Sequence, residues 1–82
     1  MKQADRIRRF AIATYIEPAR TKGDKTVQIR AGDLHDRLGL HDRLPAVCGA
    51  LGALKFQTKA GVSLMERSGP HQGRNAVFVF EL

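Results

Sequence analysis

Few side chains in this chain are capable of covalent or acid–base chemistry, and they stand apart. The candidates are His35, His41 and His71, the single cysteine Cys48, and the aspartates Asp33, Asp36 and Asp42. The histidines and Cys48 have none of the spacings that gather zinc ligands around one ion. Cys48 falls beside a Leu44, Val47, Leu51 stripe and reads as a buried thiol, not a nucleophile. The aspartates are spread over a helix and a turn, where they read as caps and solvated charges instead of an acid–base pair. Asp42 stands where it can cap the helix after it. The glycines match no phosphate-binding motif. These residue types point away from an enzyme, a metal and a cofactor.

Arginine and lysine offer a different chemistry. Fourteen of them oppose eight acidic residues, for a net charge of +6. Such a balance favours polyanionic partners, nucleic acid first and acidic membrane surfaces second. The excess is uneven: +5 over residues 1–30, −1 over 31–54 and +2 over 55–82. The 82 residues suit one domain spanning 1–82, with a modest core drawn from a 43% apolar composition. The lone cysteine fits a reducing compartment. No apolar run is long enough to span a membrane, and the charged start lacks a secretory pattern. The expectation is a soluble, cytoplasmic protein, nucleoid-associated in a prokaryote.

The elements that must position these charges follow from periodicity. Ile7, Phe10, Ala11 and Thr14 recur at helical spacing, widened by Ile12, Tyr15 and Ile16, with Lys2, Arg6, Arg8 and Arg9 mostly off that stripe. Pro18 predicts an end to this first helix near Glu17, followed by a polar loop over 18–25 with a turn at Gly23-Asp24. Thr26–Arg30 alternates as a short half-buried or edge strand. A second helix over about 31–38 carries Ala31, Leu34 and Leu38, with Gly39 placed to close it. A third helix repeats Leu44, Val47, Leu51 and Leu54. It holds Pro45 in its first turn and two internal glycines that packing must compensate. Residues 55–60 suggest a further helical turn, stopped at Gly61. Val62–Arg67 and Ala76–Leu82 form a hairpin around the breaker-rich loop 68–75, with Phe78 and Phe80 on its inward face.

Helix, short strand, helix, turn, helix, hairpin: this order resembles the winged helix-turn-helix family over about residues 3–82, most clearly in AGDLHDRLGLHDRLPAVCGAL, residues 31–51. The resemblance implies an α+β fold, with a three-helix core and a small antiparallel sheet made by the short strand and the C-terminal hairpin. His35 departs from the pattern, because a small residue often stands one turn before the closing glycine.

The resemblance also implies a site. The third helix of such a fold enters the major groove with its first residues at base edges. Here these are His41, Asp42, Arg43 and Ala46. Arg43 is suited to a bidentate pair with guanine, and Asp42 repels phosphate. Ala46, Gly49 and Ala50 present a small face that suits close groove approach, packing on another protein, or simple compaction. The wing corresponds to loop 68–75, where Arg67, His71, Gln72, Arg74 and Asn75 are the expected DNA contacts. Lys2, Arg6, Arg8 and Arg9 are expected at phosphates beside the groove. Arg20, Lys22 and Lys25 extend that positive region, and Lys55 and Lys59 can do the same.

The function so implied is duplex DNA binding, sequence-specific or structure-guided. The chain would serve as a small transcriptional regulator or as the recognition part of a larger system, alone, as a homodimer or within a protein assembly. The alternative is a winged-helix protein-interaction module without nucleic-acid contact. RNA binding is a third reading. A membrane role is disfavoured, because the apolar face of the first helix is needed for the core.

Overall fold

The computed structural model describes residues 2–82. Its first helical rod has three parts: α1 (Gln3–Ala11), a π-helical turn (Ile12–Ile16) and α2 (Glu17–Thr21). Strand β1 (Thr26–Arg30) leads directly into α3 (Ala31–Arg37). Helices α4 (Leu44–Gly52) and α5 (Leu54–Ala60) follow, and strands β2 (Ser63–Ser68) and β3 (Val77–Glu81) close the chain. The three strands form one antiparallel sheet in the order β1-β3-β2. The expected α+β composition, and the joining of the short strand to the C-terminal hairpin, are therefore present.

The rod corrects the expectation of a stop at Pro18. A proline inside a helix clashes with the carbonyl four residues before it and cannot donate an amide proton. Here the turn just upstream is widened, and the Glu17 amide bonds to the Ile12 carbonyl five residues back. Glu17 keeps helical angles (φ −64°, ψ −44°) and the rod continues to Thr21. The stop comes at Gly23 (φ 81°), whose amide bonds to the Arg20 carbonyl while that of Asp24 bonds to Ala19. Gly39 (φ 71°) closes α3 by the same device, with Gly39 bonded to Asp36 and Leu40 to His35. Both positions need a left-handed residue, which glycine adopts without steric cost.

The core lies between the helices and the inner face of the sheet. Ile7, Ala11 and Ile16 from the rod meet Leu34, Val47, Leu51 and Phe56 from the other helices, and Ile29, Phe78 and Phe80 from the sheet. Phe56 meets Phe80 edge-on, with ring centres 5.2 Å apart. Phe80 also lies nearly parallel to Phe78 at 6.4 Å. The inward placement of Phe78 and Phe80 follows from strand alternation. The third helix, in contrast, is shorter than its apolar repeat implied. Ala53 is extended (φ −80°, ψ 144°), and this break puts Leu54 at the start of α5 and 73% exposed.

The fold predicts that Phe80→Ala, which removes the ring shared by both aromatic contacts, lowers unfolding free energy by about 3–5 kcal/mol. Chemical denaturation followed by circular dichroism measures it, and a loss below about 1 kcal/mol contradicts the central place given to this ring.

Candidate nucleic-acid interface

The wing is expected at 68–75; the segment between β2 and β3 is 69–76, and it lies against α3. The first amides of a helix lack intrahelical acceptors. In α3 these are met by the loop backbone: the Ala31 amide donates to the Ala76 carbonyl and the Gly32 amide to the Arg74 carbonyl, both at 2.9 Å. Gly32 permits this approach, since a Cβ there would stand 2.9 Å from the Arg74 oxygen. Side chains reinforce the docking. Arg74 pairs with Asp36 on α3, and Arg30 donates to both Asp33 and the Asn75 side-chain oxygen at 2.7 Å. The Cys48 thiol of α4 faces the Gly73 carbonyl at 4.0 Å. Burial pushes that thiol above its ordinary pKa, consistent with the inert role read from its position.

The expected loop contacts are thus partly engaged within the molecule. Arg67 donates to the His71 carbonyl at 2.6 Å and lies 4.8 Å over the Phe78 ring. Arg74 and Asn75 are held as just described. His71 and Gln72 are exposed at the tip.

At the helical turn, Arg43 is the residue preceding α4, with His41 and Asp42 exposed beside it and Ala46 half-buried in the first turn. Asp42 does not cap α4, which corrects that expectation. It adopts a left-handed backbone (φ 50°), and α4 has no side-chain cap. The polar partner at this end is His35 instead. It is 5% exposed, and its Nε2 accepts the Arg43 amide at 3.2 Å. Its Nδ1 lies 3.3 Å from Asp36 Oδ1. The departure from the family pattern therefore has a structural use, and His35 with Asp36 connects Arg43 to Arg74. Sequence spacing carried no sign of this link, because Asp36 and Arg74 are distant along the chain.

The basic residues of the rod divide. Arg6 and Arg9 are exposed, and they follow Lys2 along one face. Arg8 is 7% exposed, which corrects its assignment to the solvated face: it lies 3.6 Å from Asp5, and its Nε donates to the Ala50 carbonyl at 3.4 Å. Arg8 thus ties α1 to the second half of α4, about 10 Å along that helix from Arg43 at 1.5 Å per residue. Arg20 likewise has an internal use. It donates to the Ala60 and Gly61 carbonyls at 2.7 and 2.8 Å, at the C-terminal end of α5, where a cation is favourable. Lys22 pairs with Asp24, while Lys25, Lys55 and Lys59 are exposed.

Among the described residues no cluster of three or more His, Cys, Asp or Glu side chains could hold a metal ion, and no helix is long and apolar enough to cross a membrane. The chain matches no protein-family model, no curated protein and no solved structure.

Asp36 receives hydrogen bonds from Arg74 and then His35, which hold its carboxyl below the ordinary carboxylate range. A lowered folded value means that its contribution to docking is complete above the ordinary range and is lost as pH falls through the lowered value. Amide shifts of loop 69–76 are therefore expected to stay constant as pH falls through the ordinary carboxylate range and to move only below it. At neutral pH, Asp36→Asn is expected to speed hydrogen exchange at Ala31 and Gly32 with little change in global stability, because an exposed ion pair contributes little. Unchanged exchange at both amides would show that the pair does not hold the loop.

Proposed function

We propose that this chain is a winged helix-turn-helix module that binds double-stranded DNA mainly through its phosphate backbone, as a small regulator or as the recognition part of a larger system. In this reading α3 and α4 are the helix-turn-helix pair, and the β2–β3 hairpin carries the wing. The observation that carries the reading is the exposed basic stripe of Lys2, Arg6 and Arg9, none of which takes part in an ion pair among the described residues. Unpaired arginine and lysine on one helix face give sequence-independent attraction to phosphates. Arg43 is the base-reading side chain, since the exposed positions of α4 that follow it, Pro45 and Gly49, carry no side-chain donors. Arg74 meets DNA in this reading by exchanging the Asp36 carboxylate for a phosphate.

A second reading is favoured by two exposed apolar side chains, Leu54 at 73% and Met65 at 57%. These suit a protein-interaction module of the same fold. Sedimentation over a concentration series without nucleic acid separates the two. Self-association abolished by Leu54→Ser with Met65→Ser, together with no DNA binding at low salt, favours the interaction module.

For the leading reading, affinity for duplex DNA is expected to fall steeply as salt rises. Arg6→Gln with Arg9→Gln flattens the slope of log affinity against log salt by about 0.9 for each phosphate contact removed. Arg43→Ala changes discrimination between sequences by about 1–3 kcal/mol if that side chain reads a base. Fluorescence anisotropy with several duplexes checks all three, and absence of binding at low salt rejects the function.

A further inference from the structure

We infer that His35 is a positioning residue whose neutral form sets the place of Arg43 and couples the helical turn to loop 69–76. Arg43 N–H is a donor and must face an acceptor, so the Nε2 atom it meets at 3.2 Å carries no proton. The ring proton then sits on Nδ1 and points to Asp36 Oδ1 at 3.3 Å. The other oxygen of Asp36 accepts from Arg74. One buried imidazole therefore fixes a chain of contacts from the turn, through α3, to the loop.

Protonating His35 places N–H against N–H at Arg43. The hydrogen bond from the Arg43 amide cannot survive, while the Asp36 contact is retained by a ring that donates from both nitrogens. The imidazolium therefore favours Asp36 over Arg43, and the turn is released while the loop side of the chain stays engaged. Histidine is the side chain whose charge ordinarily changes between about pH 5 and 8, which sets the range of the test.

In the fold the Arg43 amide bonds to His35 Nε2. On α3 the neighbouring charges are Asp33, bound by Arg30, Asp36, bound by Arg74, and Arg37, which lies over the Tyr15 ring of the π-helical turn. Strand β1, packed against α3, contributes Arg30. Helix α4 contributes only the Cys48 thiol, kept protonated by burial. In the turn, His41 and Asp42 flank Arg43 and are exposed.

The coupling does not require the DNA-binding reading, and its consequence for binding does. The test separates them. The first arm follows the His35 ring and the Arg43 amide by NMR from pH 8 to 5 without any ligand. The expected result is a shared midpoint, with faster hydrogen exchange at Arg43 on the acid side. An Arg43 amide that keeps its shift and protection while the His35 ring titrates overturns the inference. So does a ring that stays neutral throughout that range. His35→Gln places a neutral amide oxygen near the Nε2 position and is expected to keep the Arg43 amide protected at both ends of the range. His35→Leu is expected to leave it unprotected at every pH.

The second arm measures affinity for duplex DNA at fixed salt across the same range. The expected result is a loss of affinity or discrimination on the acid side in the unmodified chain that is smaller in His35→Gln. An intact first arm with no DNA binding at any pH removes the proposed function and leaves the coupling standing.

Discussion

The docking of loop 69–76 on the first turn of α3 is the constraint from which most of the molecule's layout follows. A helix that begins directly after a strand takes the last strand residue as its N-cap, and its amides go unmet locally unless that side chain can accept. In α3 the residue before the first turn is Arg30, in extended geometry and without a side-chain cap. Its free amides are satisfied by carbonyls from the far end of the chain. Leaving such buried donors unmet costs more than the bonds themselves contribute. The loop is therefore held in place by the backbone chemistry of the helix as well as by its own side chains. Gly32 is essential to this arrangement, because the Arg74 carbonyl occupies the space a side chain would need.

The same docking decides what the arginines do. Polar side chains brought close to one another satisfy each other before they can meet a ligand. Arg74, Arg67 and Arg30 lie around the docked loop, and each finds an acceptor there. Arg8 and Arg20 tie the rod to the second half of α4 and to the C-terminal end of α5 through backbone carbonyls. The exposed cations outside these contacts include Lys2, Arg6 and Arg9 on α1, Arg43 at the turn, and Lys25, Lys55 and Lys59. The internal use of these arginines moves the weight of the proposed interface from the hairpin tip toward α1.

Much of the fold was legible in the sequence where one local rule dominated. The alternation of Val27 and Ile29, the apolar spacing of Ile7 and Ala11, the left-handed Gly39 and the inward Phe78 and Phe80 all follow from residue type and period. Pro18 misled because its clash is removed by a π-helical turn upstream, and no residue signals that widening by itself. Ala53 is similar: alanine favours helix, yet it carries the extended break between α4 and α5. Arg8 and Arg74 were legible as cations but not as engaged ones, since their partners Ala50 and Asp36 are brought to them only by tertiary packing. The candidate site was therefore readable as composition and much less readable as geometry.

His35 joins these points. In sequence it was a residue of the wrong size for the close approach of two helices. In the fold it supplies an acceptor for the Arg43 amide just before α4, while Asp42 adopts a left-handed conformation and α4 has no side-chain cap. A small residue in its place would let α3 and α4 approach more closely but would leave the Arg43 amide without that partner. The imidazole fills the space and provides the acceptor at once, with Asp36 fixing which nitrogen is free to accept. A carboxylate already held by Arg74 is a good orienting group, because it is pinned from the other side. The position of the Arg43 backbone thus depends on the docked loop as well as on the turn that carries it.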